Sequence, residues 1–169
     1  DSFFMDPTDL SKTNVALFAT RWITHFCAPV FVFLAGTSAF LSGQRKTKQE
    51  LAIFLLTRGI WLIFLEITII AIGWSFDIDF QHYALAVIWA LGGSMMVLSA
   101  LIWLPYPVIL SIGCLLVLGH NALDTIHAEG NTIGALGWRL LHEQGNTTFG
   151  DLSVFVMYPI LPWIGVMTL

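Results

Sequence analysis

Five histidines punctuate the chain, at positions 25, 82, 120, 127 and 142, and imidazole is the side chain best suited to exchange a proton near neutral pH. His120, Asp124 and His127 are spaced by four and three. A helix through them would put all three on one face, where a carboxylate could orient an imidazole as a general base or the set could hold a metal. Three readings stay open: a base that binds an acceptor, a metal site, or solvated loop residues beyond a helix that Gly119 terminates. His25 follows Arg21 by one helical turn. A neighbouring cation favours the neutral, basic form of an imidazole, and the alternative is a hydrogen-bonded packing residue. Two further groups, Arg58 and Glu66, stand inside a long apolar run, where each costs about 2.5–3.5 kcal/mol at mid-span and should face protein or water. Eight residues put them about 12 Å apart along a helix. That leaves an intrahelical pair, a pairing with another helix, or a functional site. Arg45, Lys46 and Lys48 form a short basic cluster. No Ser-His-Asp order, Gly-rich phosphate loop or CxxC pair is present, so nucleotide hydrolysis and thiol redox chemistry find no support.

The elements that position these groups follow from the composition. Of 169 residues, 57% are apolar and only 11% charged, where a soluble domain carries about 25% charged residues. Such a chain cannot cover a water-soluble globule, and a membrane-spanning helix bundle is expected. The net charge of −4 leaves no basic footprint for nucleic acid. A hydrocarbon core about 30 Å thick needs about 20 helical residues, and runs of that kind predict an all-α polytopic bundle of about five spans, at 22–42, 51–73, 83–103, 107–118 and 152–169. The third and fourth come from one uncharged stretch, Tyr83–Gly119, divided at Leu104-Pro105-Tyr106-Pro107 because proline removes an amide donor and turns the residue before it away from helix. Pro159 and Pro162 should kink the fifth.

Positive residues favour the cytoplasmic side, which assigns the loop 43–50 inside. The segments 1–21, 74–82 and 119–151 then lie outside. The assignment is self-consistent, because the outer segments hold Asp1, Asp6, Asp9, Asp77, Asp79, Asp124, Glu129, Glu143 and Asp151 against only Lys12, Arg21 and Arg139. The sorting also places every histidine on the outer side. Small residues at Ala86, Ala90 and Ser94, with Gly92 and Gly93 beside them, and at Ala35, Gly36 and Ala39 predict close helix packing. Trp22, Trp74, Trp103 and Trp138 read as interface anchors, Cys27 and Cys114 as small buried hydrophobes, and 133–143 as a short interfacial helix.

With these residues in view, Thr24-His25-Phe26-Cys27-Ala28-Pro29-Val30-Phe31-Val32-Phe33-Leu34-Ala35-Gly36-Thr37-Ser38-Ala39-Phe40, followed by Leu55-Leu56-Thr57-Arg58-Gly59, resembles the heparan-α-glucosaminide N-acetyltransferase catalytic-domain-like family of integral membrane proteins. Val87–Met95, Gly119–Asp124 and Pro159–Gly165 are similar to its bacterial branch. The resemblance covers nearly the whole chain. It implies an acyltransferase that moves an acetyl group from cytosolic acetyl-CoA to an amino sugar or related glycan on the far side of a bacterial inner membrane. It further implies that the donor meets Arg45, Lys46, Lys48 and Arg58 at the inner mouth, and that His25, Glu66, His120 and Asp124 stand near the outward acceptor. Family members begin with another hydrophobic span whose outer end carries a proposed catalytic histidine, so this chain is expected to be the early-middle part of a larger one. The expected partners are the lipid bilayer, the small-molecule or glycan acceptor, and, as an open option, a second copy of the chain; no metal is expected. Two rivals remain: a small-molecule or proton-coupled transporter with Arg58 and Glu66 on its pathway, and a non-catalytic membrane segment.

Overall fold

The computed structural model describes residues 15–75 and 81–169. Its elements are α1 (Val15–Gly43), α2 (Lys48–Leu65), a π-helical turn (Glu66–Ile70), α3 (Ala71–Ser75), β1 (His82–Leu85), α4 (Val87–Leu101), α5 (Tyr106–Gly119), a 3₁₀ turn (His120–Leu123), α6 (Ile133–Leu141), β2 (Gly145–Phe149), β3 (Leu152–Val156) and α7 (Ile160–Thr168). The chain divides into two compact units, Asp1–Phe31 and Val32–Leu169. In the first unit the rings of Trp22 and Phe26 meet edge to face at 4.9 Å, one helical turn apart. Residues 1–14 of the outer segment 1–21, and 76–80 of the segment 74–82, lie outside the described residues. So does the Arg21 side chain, and with it the expected Arg21–His25 pairing.

Among the described residues three helices are long and apolar enough to cross a membrane: Phe18–Gly43, Lys48–Gly73 and Tyr106–Leu123. The third and fifth expected spans are not helical throughout, and the all-α expectation gains a small sheet. The span at 83–103 opens as strand β1, and α4 has 15 residues, or about 22 Å at 1.5 Å each. The span at 152–169 opens as β3, and helix starts only after Pro159. Short apolar runs rich in β-branched and aromatic residues cannot be told from helix by periodicity alone. Here β1 and β2 settle the matter by pairing with β3, parallel and antiparallel respectively, in the order β1-β3-β2. The β2–β3 hairpin closes through Gly150 and Asp151, between the paired Phe149 and Leu152. Gly150 takes φ 61°, the left-handed value that a two-residue hairpin loop needs and that glycine adopts without a Cβ penalty.

Local side-chain chemistry sets the helix ends. Thr47 and Glu50 form a capping box at the start of α2: Thr47 Oγ1 accepts from the Glu50 N–H, and Glu50 Oε2 accepts from the Thr47 N–H at 2.9 Å. Pro105 caps α5, with Pro107 in its first turn where a missing N–H costs nothing. Cys27 and Cys114 are free, but exposed and not buried; on helices of this composition the bilayer replaces the core that they were expected to enter.

The second unit is organised by α2 against α4. Gly59 and Gly92 face each other so closely that a Cβ on Gly59 would lie 2.6 Å from the Gly92 carbonyl oxygen, and one on Gly92 would lie 2.8 Å from that of Gly59. Lipid tails are as apolar as leucine, so helices in a bilayer associate through close packing and not through hydrophobic exclusion. Around this contact Val32, Leu51, Leu55, Leu91, Leu98 and Met167 form the buried cluster. We expect Gly59→Leu to lower stability by about 1–3 kcal/mol through overpacking, read as a lowered unfolding temperature in detergent. A Gly137→Ala control, where an added Cβ meets nothing within 4 Å, should leave it in place; equal effects of the two would remove the helix contact as the cause.

Candidate functional site

Two cavities lie at opposite ends of the second unit. The one beside loop 43–50, labelled inner for that place, has about 540 Å³ and is walled by apolar side chains that include Phe40, Leu51, Leu98, Ile102 and Met167, with Lys48 and Gln44 at its polar edge. Its threonines bring little polarity, since Thr37 Oγ1 donates to the Phe33 carbonyl and Thr168 Oγ1 to those of Ile164 and Gly165. The outer cavity, of about 360 Å³, lies between Ile70 and Ala71 at the end of the π-turn and the sheet residues His82, Asn146, Ser153 and Phe155. Leu51 and Ile70 belong to one continuous helical run, so its rise separates the two cavities by about 30 Å, close to the thickness of a hydrocarbon core.

Of the cations expected to meet a donor, Lys48 lines the inner cavity, and its ammonium donates to the Trp103 carbonyl at 3.5 Å. Lys46 sits over the Phe54 ring at 5.0 Å, and Arg45 is exposed in the same loop. Arg58 does not join them. It is exposed on α2, its guanidinium 5.4 Å from the centre of the Phe54 ring, an arrangement in which the ring face attracts the cation. No ion pair links Arg58 to Glu66 among the described residues.

Among the described residues Glu66 is the most deeply buried charged-type side chain, at 1% exposure. Its Oε1 accepts the Ala86 N–H at 2.6 Å, while Oε2 is buried without a partner among the described residues. Ala86 joins β1 to α4, so this one carboxyl ties the π-turn to the strand that walls the outer cavity. π-turns are rare and recur at functional sites.

The outer histidines are arranged by tertiary contact and not by one helix face. α5 ends at Gly119, a 3₁₀ turn follows, and no helix runs from His120 through His127. His120 Nδ1 lies 3.0 Å from the Val117 carbonyl oxygen, a donor's position. Asp124 instead meets His142: its Oδ1 is 3.2 Å from His142 Nε2. The His142 side chain is 5% exposed, its ring lies 5.3 Å from that of Trp138 and 6.5 Å from that of His120, and its Nδ1 is buried without a partner among the described residues. His127 pairs with Glu143 at 3.1 Å. The structure therefore brings His120 and Asp124 together through His142, a residue without a helical spacing to either that could have flagged it. His25 is exposed on the part of α1 that belongs to the first unit. Among the described residues no group of three or more histidine, cysteine or acidic side chains is placed to hold a metal ion.

Glu143 is held below the ordinary carboxylate range, chiefly because its Oε2 accepts the Ala128 N–H at 2.8 Å and then because Oε1 meets His127. A lowered pKa in the folded state means stability that is present above the ordinary glutamate value, about 4.3, and lost as pH falls through the lower folded value. Protection of the Ala128 amide against exchange, relative to its intrinsic rate, should therefore fall as pH drops below the ordinary glutamate value, and Glu143→Gln should flatten that response; an identical profile in the variant would exclude this carboxylate. For Glu66, glutamine keeps an acceptor for the Ala86 N–H, whereas alanine leaves that N–H orphaned at a cost of about 1–3 kcal/mol. The unfolding temperature should fall clearly further for Glu66→Ala than for Glu66→Gln, and the reverse order would show that the bond to Ala86 is not what Glu66 supplies.

Neither the curated proteins nor the solved structures contain a match to this chain. The family model described as Heparan-alpha-glucosaminide N-acetyltransferase, catalytic, matches residues 3–169. Together with the three apolar helices long enough to cross a bilayer, that match over nearly the whole length places the chain in this family of membrane acetyltransferase-like proteins.

Proposed function

We propose that the chain forms part of an acyltransferase of the bacterial inner membrane, with loop 43–50 in the cytoplasm, that takes an acetyl group from cytosolic acetyl-CoA and delivers it to an amino sugar or related glycan outside. The observation that carries this reading is the pair of cavities at the two ends of one membrane-length helix, the inner beside a basic loop and the outer uncharged. A polyanionic donor cannot enter lipid. Lys48, with Arg45 and Lys46 nearby in sequence, supplies cations for its phosphates, and an apolar cavity of about 540 Å³ offers room for the narrow pantetheine arm and its acyl group.

Transfer to an amine forms a C–N bond and breaks the thioester C–S bond, and the proton lost by the nitrogen ends on the departing coenzyme A thiolate; because the two cavities lie about 30 Å apart, the pantetheine arm must carry the acetyl group along the helix to the acceptor before that bond can form. A base is needed on the acceptor side. His142 is the imidazole that a carboxylate, Asp124, orients, with His120 beside it, the arrangement that holds a base in one tautomer. Glu66 acts from beneath the outer cavity through β1, and His25 is a further candidate base on α1. Arg58 is assigned to the donor on charge alone.

The test is acetyl transfer by the full-length protein in proteoliposomes, with labelled acetyl-CoA and glucosamine. Lys48→Gln should raise KM for acetyl-CoA about tenfold, equivalent to about 1.4 kcal/mol, and Arg58→Ala should raise it if that side chain meets the donor. Absence of transfer to any amino sugar would overturn the reading, and an unchanged KM in Lys48→Gln would move the donor away from the inner cavity.

A further inference from the structure

Two cations converge on one ring near the start of α2. Lys46 Nζ lies 5.0 Å from the centre of the Phe54 ring, and the Arg58 guanidinium carbon lies 5.4 Å from it. Arg58 stands one turn deeper in the span than Phe54, about 6 Å by helical rise, and its side chain folds back over that ring. Side chains on a helix lean toward its N-terminus, which here is loop 43–50. The geometry therefore carries the charge out of the apolar span toward the loop, as a snorkelling arginine does. An aromatic face attracts each cation but neutralises neither, and like charges repel more strongly at the edge of a bilayer than in water.

The protein supplies little negative charge at this place. Glu50, one turn before Phe54, is committed to the cap of α2, where its Oε2 accepts from the N–H and the hydroxyl of Thr47, each at 2.9 Å. Against it stand Arg45, Lys46, Lys48 and Arg58. Lys48 lines the inner cavity, and neither Lys46 nor Arg58 does. Charge alone puts Arg58 with the donor; position offers it a different anion. The α2 surface around Arg58 is apolar and open: Ile53, Trp61 and Phe64 are exposed, and the rings of Trp61 and Phe64 stack at 5.5 Å. Phe54, Arg58 and Trp61 follow at spacings of four and three, which puts them on one helix face. A phosphate charge is wanted above, and hydrocarbon below. An anionic phospholipid carries both. Inorganic phosphate or a nucleotide would meet the cations but brings no acyl chain for the face beneath them, and a zwitterionic lipid brings its own cation beside the phosphate.

We infer that Lys46, Phe54 and Arg58 hold the phosphate of an anionic phospholipid in the leaflet that adjoins loop 43–50, with its acyl chains along Ile53, Trp61 and Phe64. The test uses the full-length protein in phosphatidylcholine nanodiscs that contain a small fraction of brominated phosphatidylglycerol or brominated phosphatidylcholine. Bromine quenches a tryptophan in contact with it, and the Trp61 signal is the difference between the protein and its Trp61→Phe variant. A Lys or Arg beside an anionic lipid surface is worth about fivefold in affinity, so we expect Trp61 to prefer phosphatidylglycerol at least fivefold. Lys46→Gln and Arg58→Gln should each reduce that preference and together abolish it, with retained unfolding temperature as the check on folding. Raised salt should weaken the preference in the unaltered protein. Equal quenching by the two lipids, quenching by neither, or an unchanged preference in the folded double variant would overturn the inference. Displacement of phosphatidylglycerol by inorganic phosphate or by acetyl-CoA would overturn it too, because it would assign the two cations to a soluble anion.

Discussion

Close approach of α2 and α4 at Gly59 and Gly92 is the contact on which the second unit depends. In a bilayer no water is released when two apolar helices meet, so the gain must come from backbone and side-chain atoms packed at van der Waals distance. Two facing glycines allow that, and their carbonyls occupy the space where side chains would otherwise stand. From this contact the rest of the unit extends in both directions along the same helices. Toward loop 43–50, Leu51 and Leu98 bound the inner cavity. Toward the outer end, the same pair of helices brings Glu66 to Ala86.

That second meeting point explains why the helix changes pitch where it does. A regular α-helix places a residue every 100°, and a π-turn shifts the residues beyond it relative to those before it. The turn from Glu66 to Ile70 ends where Ile70 and Ala71 begin to wall the outer cavity. Glu66 opens that turn and secures the amide of the residue that joins β1 to α4. A buried carboxyl and a rare helical turn are each costly. They coincide beside the cavity that the sheet walls, where the π-turn, β1 and α4 meet.

The outer layer is held by a different chemistry. Arg139 collects carbonyls from β2 and from the segment before α6, Glu143 caps the Ala128 amide, and Asp124 reaches His142. These bonds join segments separated in sequence. The membrane part is built by shape, the outer part by polar satisfaction, and the two meet at the three-stranded sheet.

Much of this was legible before any coordinates. Composition alone identifies the solvent, since 57% apolar and 11% charged residues cannot make a soluble surface. The basic loop at 43–50, the break at Pro105 and Pro107, the short helix after Thr132 and the small residues of α4 follow from local chemistry, because capping, proline sterics and charge sorting act over a few residues. The strands at 82–85 and 152–156 were not legible, because strand pairing is a contract between segments about 70 residues apart, and an apolar run is equally consistent with a helix. For the same reason His120, Asp124 and His127 suggested a helical face that a 3₁₀ turn dissolves, while His142 carried no spacing signal at all. Residue type told that imidazoles and carboxyls gather on the outer side; only the tertiary structure decided which of them touch, because hydrogen-bond partners across loops are set by packing and not by period.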